Sequence, residues 1–250
     1  MRSATQESPR CPALAALGFA TYRAAGRTLY LRNDLLSEAE EILTLIAEAE
    51  RIGAGAGNRR SGFRIELRQT PLFVRRSRRG GWMRLLNRDL YLGKRPRPAR
   101  ELALASEAMR RAIPIAEPLG ALIEPIIPGI YRGAMITRAL SGMTLWEFLQ
   151  TDDDPRVRTH ILELARQAVD TMHRRGLFHA DLNLHNLFVT QSGESFAVVI
   201  LDLDKARFFP AALPINLRRR NLHRLIRSAR KLDPHRRLLT AAALAILTGE

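Results

Sequence analysis

The stretch His179-Ala180-Asp181-Leu182-Asn183-Leu184-His185-Asn186, followed by Ile200-Leu201-Asp202-Leu203-Asp204, decides how the rest of the chain is read. The first segment has the form H-x-D-x-N-x-x-N, and the second is an apolar strand ending on D-L-D. Singly, Asp181, Asn183, His185 and Asn186 are ordinary turn and cap residues, because Asp and Asn side chains bond their own backbone. Together they carry a chemistry. Phosphoryl transfer from a nucleotide needs a carboxylate near the acceptor hydroxyl, and oxygen ligands that hold Mg²⁺ against the phosphates. Asp181 and Asn186 stand five residues apart, and Asp202 follows a short strand-turn-strand segment.

Kinase-type folds put a catalytic-loop carboxylate and a metal-binding Asn at this spacing, and take a second metal ligand from an Asp after the next strand. The pattern predicts an α+β, protein-kinase-like bilobal fold, with a small β-rich N-lobe and a mainly helical C-lobe. Residues 1–16 read as a flexible leader, 17–138 as the N-lobe and 139–250 as the C-lobe. On this reading Asp181 is catalytic, Asn186 and Asp202 are the metal ligands, and the cofactors are ATP and Mg²⁺.

Upstream, Thr28-Leu29-Tyr30-Leu31 reads as a strand, and Asp34 to Arg51 as a helix with a capping box from Ser37 and Glu40. Gly53, Gly55 and Gly57 lie in a loop whose backbone N–H groups could approach nucleotide phosphates closely, provided that it joins two strands. Phe63 to Leu67 and Leu72 to Arg75 are strands. The second ends where kinases carry a phosphate-binding Lys, and here the position holds Arg75, with Arg76 next in line. An Arg grips phosphate bidentately but is not interchangeable with Lys. Pro98 to Arg111 reads as a helix on which Glu101 or Glu107 could pair with the strand cation, Glu101 being favoured. The two point about 120° apart, so only one can do so.

Ile113 to Pro128 is Pro-rich and extended, with a crossing between lobes, and Ala134 to Arg138 is a strand that could end at an adenine-binding hinge. Thr144 to Leu149 is a short helix. Asp154-Pro155 opens a long one, with apolar residues from Val157 to Met172 in a 3.6 period and Gly176 as its stop. Phe188-Val189 and Val198 to Leu201 are strands around a turn at Gln191 to Glu194. Leu217 to Leu232 is a basic amphipathic helix, with Leu222, Leu225, Ile226, Ala229 and Leu232 inside. Leu238 to Leu247 is apolar and packs on the same lobe. No long activation segment with an A-P-E end follows Asp204, which disfavours a regulated protein kinase.

The chain carries a net charge of +15, and the charge is segregated. Residues 58–100 hold fourteen Lys/Arg against two acids, and residues 205–237 hold eleven against one. Everything else sums to −7. Such segregation implies a polyanionic partner, whether lipid headgroups, a phosphorylated glycolipid or nucleic acid. No nucleic-acid recognition motif accompanies it, so no specific nucleic acid is expected. The single Cys11 excludes an intrachain disulfide framework and fits a reducing compartment. No apolar run approaches the ~20 residues that span a bilayer, and no secretion signal is expected at the N-terminus.

Arg75 to Trp82 (R-R-S-R-R-G-G-W), Arg100-Glu101-Leu102, Ile113 to Pro118, His179 to Asn186 and Leu201 to Lys205 resemble the lipopolysaccharide core kinases. Within these the chain is most similar to the 3-deoxy-D-manno-octulosonic acid (Kdo) kinases, with the heptose kinases as cousins. The resemblance implies ATP-dependent phosphorylation of an inner-core sugar on a lipid A precursor. It places the protein at the cytoplasmic face of the inner membrane, peripheral on an anionic surface. It implies Asp181 as base or orienting group, Asn186 and Asp202 on Mg²⁺, and Arg75 with Glu101 at the phosphates. Asp204 takes the place of the glycine in D-F-G, and Leu203 that of the Phe. Two rival readings are a small-molecule phosphotransferase, whose acidic pocket would suit cationic acceptors, and a catalytically dead kinase-like membrane-binding module.

Overall fold

The computed structural model describes residues 12–52, 62–68, 70–76, 91–92 and 96–249. The chain divides into two units, Met1–Glu107 with Glu117–Ala139, and Ala108–Ala116 with Leu140–Glu250. The class is the expected α+β, the first unit built on one large sheet and the second mainly helical.

The first unit opens with a short turn of helix, α1 (Pro12–Ala15), and a hairpin, β1 (Phe19–Ala24) and β2 (Arg27–Arg32). The helix expected from Asp34 begins instead as a 3-10 segment, Asn33–Glu38, and α2 proper is Ala39–Arg51. Ser37 therefore lies inside a helical turn and not at its extended entry. Its hydroxyl donates to Glu38 Oε2 (2.6 Å), and the capping box with Glu40 does not form. Next come β3 (Gly62–Leu67), β4 (Thr70–Arg76), β5 (Tyr91–Leu92), α3 (Arg97–Arg110), β6 (Pro118–Ile127) and β7 (Ile130–Arg138). The strands form one antiparallel sheet in the order β1-β2-β6-β7-β4-β3, with β5 on β7.

Strand alternation sets the two faces. Phe63, Ile65 and Leu67 of β3 and Leu72 and Val74 of β4 are buried in one core with Ile42, Leu43 and Ile46 of α2. Burying Ile42 and Ile46 fully is worth about 1.5–3 kcal/mol apiece. Arg76 shares the parity of Leu72 and Val74, and pairs with Glu50 at the end of α2 and with Glu124 of β6. Arg75 has the opposite parity and pairs with Glu101 of α3. Helix α3 starts close against β7: a Cβ on Gly133 would stand 2.4 Å from Pro98 Cγ.

In the second unit β8 (Gly142–Thr144) leads into α4 (Leu145–Thr151) through a capping box between Thr144 and Glu147. Helix α5 (Pro155–Arg174) starts as expected, with Asp154 accepting from Arg156 N–H (2.8 Å) and Pro155 at its first position. Gly176 ends it at φ +79, where a Cβ would meet Ala211 O at 2.5 Å. Ile161, Leu162, Ala165, Ala168, Val169 and Met172 form its buried stripe. The chain continues through β9 (Leu177–Phe178), β10 (Leu187–Ser192), β11 (Ser195–Ile200), β12 (Arg207–Phe208), α6 (Ile215–Leu232) and α7 (Ala241–Thr248). Strands β11-β10-β8 make one small sheet and β12-β9 another. On α6, Leu225 and Ala229 are buried as expected, and the third fully buried position is Asn221.

Candidate active site

The first unit carries Arg75 and Glu101, the residues expected at the nucleotide phosphates. Arg75 Nη2 donates to Glu101 Oε1, and Glu101 is only 4% exposed. A carboxylate that deep requires a cationic or hydrogen-bonding partner. Of the two candidates on α3, it is Glu101 that takes Arg75. Gly53, Gly55 and Gly57 lie outside the described residues. The described elements flanking their loop are helix α2 and strand β3.

The second unit holds the loop His179 to Asn186, which leaves β9 and enters β10. Its geometry follows from bonds made by buried groups. His179 is 1% exposed, its Nε2–H donating to Leu201 O (2.9 Å) while Nδ1 accepts from Asp181 N–H (3.1 Å). Those two partners fix a neutral tautomer. Burial, the largest influence, pushes the His179 imidazole below its ordinary value, against the opposing pull of Leu201 O, Asp202 and Asp181. The ring thus ties the start of the loop to the backbone just ahead of Asp202.

Asn183 and Asn186 each donate through Nδ2 to Asp181 O (2.8 Å in both cases). Asn183 Oδ1 accepts from His185 N–H (2.9 Å), an Asx turn that accounts for this Asn inside the motif. Asn186 O accepts from Leu201 N–H (2.8 Å), which joins the end of the loop to the strand leading to Asp202. With the Asp181 backbone satisfied, its carboxylate is exposed and, among the described residues, accepts no hydrogen bond. Asn186 Oδ1 likewise accepts no hydrogen bond among them, its amide engaging through Nδ2.

Asp202 sits at φ +61, a left-handed conformation that Asp tolerates better than most residues. Its side chain is exposed, with Oδ1 3.4 Å from Asp204 N. Leu203 between them is buried and anchors the D-L-D segment. Among the described residues no group of three or more His, Cys, Asp or Glu converges as a metal cage. A Mg²⁺ ion on a nucleotide takes one or two protein oxygens, with substrate phosphates and water completing the shell. The Asp202 carboxylate and the Asn186 carbonyl oxygen are hard donors of the right kind.

One residue of this site went unread in the sequence. Asn221 of α6, fully buried, donates through Nδ2 to His179 O (2.6 Å), and its Oδ1 lies 3.4 Å from His179 N and 3.2 Å from His173 Nε2. Burial pushes His173 down as well, with Asn221 and Asp170 opposing. The available signal was a polar residue at 221 in line with Leu225 and Ala229 on an apolar stripe.

Residues 46–245 match the model of the lipopolysaccharide kinase (Kdo/WaaP) family. A 3-deoxy-D-manno-octulosonic acid kinase of Xylella fastidiosa (strain 9a5c) is 33% identical over 185 residues, covering 72% of this chain and 70% of that protein. The protein of the same description from Xanthomonas axonopodis pv. citri (strain 306) is 32% identical over 187 residues, again 72% and 70%. A solved structure, WaaP in complex with acyl carrier protein, aligns over 100% of this chain and 90% of its own, with a TM-score of 0.49 and 18% identity.

Proposed function

The chain belongs to the lipopolysaccharide kinase (Kdo/WaaP) family and is an ATP-dependent phosphotransferase of a sugar hydroxyl, and we propose that its acceptor is Kdo on a lipid A precursor. The observation that carries the reading is the Asp181 carboxylate. Its backbone is held by His179, Asn183 and Asn186, and its side chain is left exposed without a partner among the described residues.

On this reading Asp181 accepts a hydrogen bond from the acceptor hydroxyl, orients its oxygen toward the γ-phosphorus and takes the proton as the new P–O bond forms and ADP leaves. Asn186 Oδ1 and Asp202 hold Mg²⁺, which when bound neutralises charge on the phosphates. Arg75, steadied by Glu101, binds phosphate oxygens in the role usually given to Lys. The loop at Gly53, Gly55 and Gly57 follows helix α2 and not a strand, so it lacks the strand-to-strand setting required of a phosphate lid and is given no role here.

The acceptor is itself an anionic glycolipid, and we place the protein on the cytoplasmic face of the inner membrane. The basic runs at 58–100 and 205–237 support this, since each Lys or Arg near an anionic surface contributes about 1 kcal/mol. We propose that this association is peripheral; no helix among the described residues is long and apolar enough to cross a membrane.

The test is mass spectrometry of a Kdo-bearing lipid A precursor after incubation with the protein and Mg-ATP. One added phosphate is expected, lost in Asp181→Ala with ATP binding kept, while Asp202→Ala also weakens Mg²⁺-dependent ATP binding. Full transfer by both variants would overturn the assignment. Transfer only to a heptose-bearing acceptor would move the specificity and leave the chemistry.

A further inference from the structure

The hairpin between β6 and β7 ends in Pro125-Ile126-Ile127-Pro128-Gly129-Ile130. Ile126 is 49% exposed and Ile127 56% exposed, and all of residues 125–129 are open to solvent. From Pro125 to Tyr131 no side chain carries a charge. A single exposed Ile is ordinary, but two adjacent ones flanked by prolines at a hairpin turn make the whole tip apolar.

Charge surrounds the base of that tip. Glu124, the last residue before it, is paired with both Arg27 (3.1 Å between Nε and Oε1) and Arg76, and its cross-strand neighbour is the exposed Arg132. Counting Glu50, which also pairs with Arg76, three guanidinium groups stand against two carboxylates. On the other edge of β7, Ile130 and Tyr131 pair with Leu92 and Tyr91 of β5. That strand belongs to the run 84–100, with six Lys/Arg and one acid. Among the described residues the apolar tip therefore stands beside Arg132 and the Arg27–Glu124–Arg76 group.

We propose that the β6–β7 tip is a membrane wedge, which buries Ile126 and Ile127 at the headgroup–acyl boundary of an anionic phospholipid bilayer and leaves Arg132 at the lipid phosphates. The proposal rests on the reading of the chain as a kinase of a membrane-borne glycolipid, and names the element that makes the contact. A bilayer is the occupant that suits this chemistry. From Pro125 to Ile130 no side chain carries a hydrogen-bond donor or acceptor with which to read a protein surface. Its apolar area is on the order of 300 Å², well under the ~800 Å² per partner that a stable protein interface buries. A lipid surface needs only apolar depth together with neighbouring cations.

The experiment is co-sedimentation of the full chain with phosphatidylcholine vesicles, with and without phosphatidylglycerol, across a salt series. The double variant Ile126→Ser/Ile127→Ser is expected to bind the anionic vesicles about tenfold more weakly and to lose the salt-resistant part of binding. Its thermal midpoint should match the wild type, because both side chains are exposed. Met109→Ser, at a 50% exposed position on α3 outside both basic runs, is the control and keeps wild-type binding. Insertion into a phosphatidylglycerol monolayer, read as surface pressure, should fall in the double variant alone. Unchanged vesicle affinity overturns the proposal, as does equal loss in Met109→Ser, or a wild-type dimer in sedimentation equilibrium that the double variant abolishes. Turnover of Mg-ATP on detergent-dispersed acceptor is measured separately, so failure of the kinase reading and failure of the wedge give different results.

Discussion

Replacing Asn221 with Ala asks how far the catalytic loop depends on a residue outside it. The side chain donates to His179 O at 2.6 Å and approaches His173 Nε2 at 3.2 Å, while the contact to His179 N, at 3.4 Å, is at the edge of hydrogen-bond range. Removing it strands two polar groups in a fully buried position. Each such group costs about 1–3 kcal/mol, so unfolding free energy should drop by about 2–6 kcal/mol. Asn221→Asp keeps acceptors but no donor, and at neutral pH turns a charged oxygen toward the His179 carbonyl. Its loss should be at least as large. The assay pairs urea denaturation with steady-state kinetics at a temperature where the variant stays folded. There kcat per folded molecule is expected to fall at least tenfold, since ~1 Å of misplacement can cost about a hundredfold, with the KM for ATP near the wild type. A denaturation midpoint and a kcat both within error of wild type would refute the reasoning. A lower midpoint with unchanged kcat would make Asn221 a packing residue only.

Acid stability follows from the buried imidazoles. His179 and His173 are both held below the ordinary value near 6.5, so between that value and their folded ones the unfolded chain binds more protons. Their contribution is complete above about pH 6.5 and fades as pH falls below it. The urea midpoint should therefore decline on acidification from there, and a midpoint that rises contradicts the assignment. Thr144→Ala removes the hydroxyl that accepts from Glu147 N–H (3.3 Å) and donates to Glu147 Oε2 (2.8 Å), and should destabilise the chain by about 1 kcal/mol in a thermal or urea melt.

What could be read in the sequence was whatever a local period reports. Helix α5 was legible because its cap, first-turn proline, apolar stripe and terminating glycine all fall within one stretch. Strands β3 and β4 were legible from alternation, and the same alternation sends Arg75 and Arg76 to opposite faces. Arg75 meets the expected Glu101 of α3, whereas the partners of Arg76, Glu50 and Glu124, lie 26 and 48 residues away and were not legible. Ser37 and Glu40 matched a capping pattern, yet the 3-10 turn ahead of α2 removes the extended backbone that a cap requires. Asn221 was hidden for a related reason. Hydropathy scores it as an interruption of the stripe on α6, and only the fold brings the His179 backbone against it.

Helix α6 carries a further argument about partners. It holds seven Lys/Arg and no acid, with like charges at Arg220–Arg224, Arg224–Arg227, Arg227–Arg230 and Arg227–Lys231. Pairs of this spacing oppose helix formation by a few tenths of a kcal/mol each, so the four together cost about 1–2 kcal/mol. Arg218, Arg219 and Arg220 add to this at the end where the helix dipole favours anions. No intrahelical ion pair offsets the repulsion, and the helix is held instead by its inner face at Asn221, Leu225 and Ala229. The two faces therefore answer to different demands. The inner one holds the loop of Asp181, and the outer one, with Arg219, Arg220, Arg227 and Arg230, is strained in isolation and relieved by any surface that supplies phosphate. Charge arranged in this way supports an anionic partner more firmly than net charge does, because general surface basicity would not require repulsion to be concentrated on a single helix face.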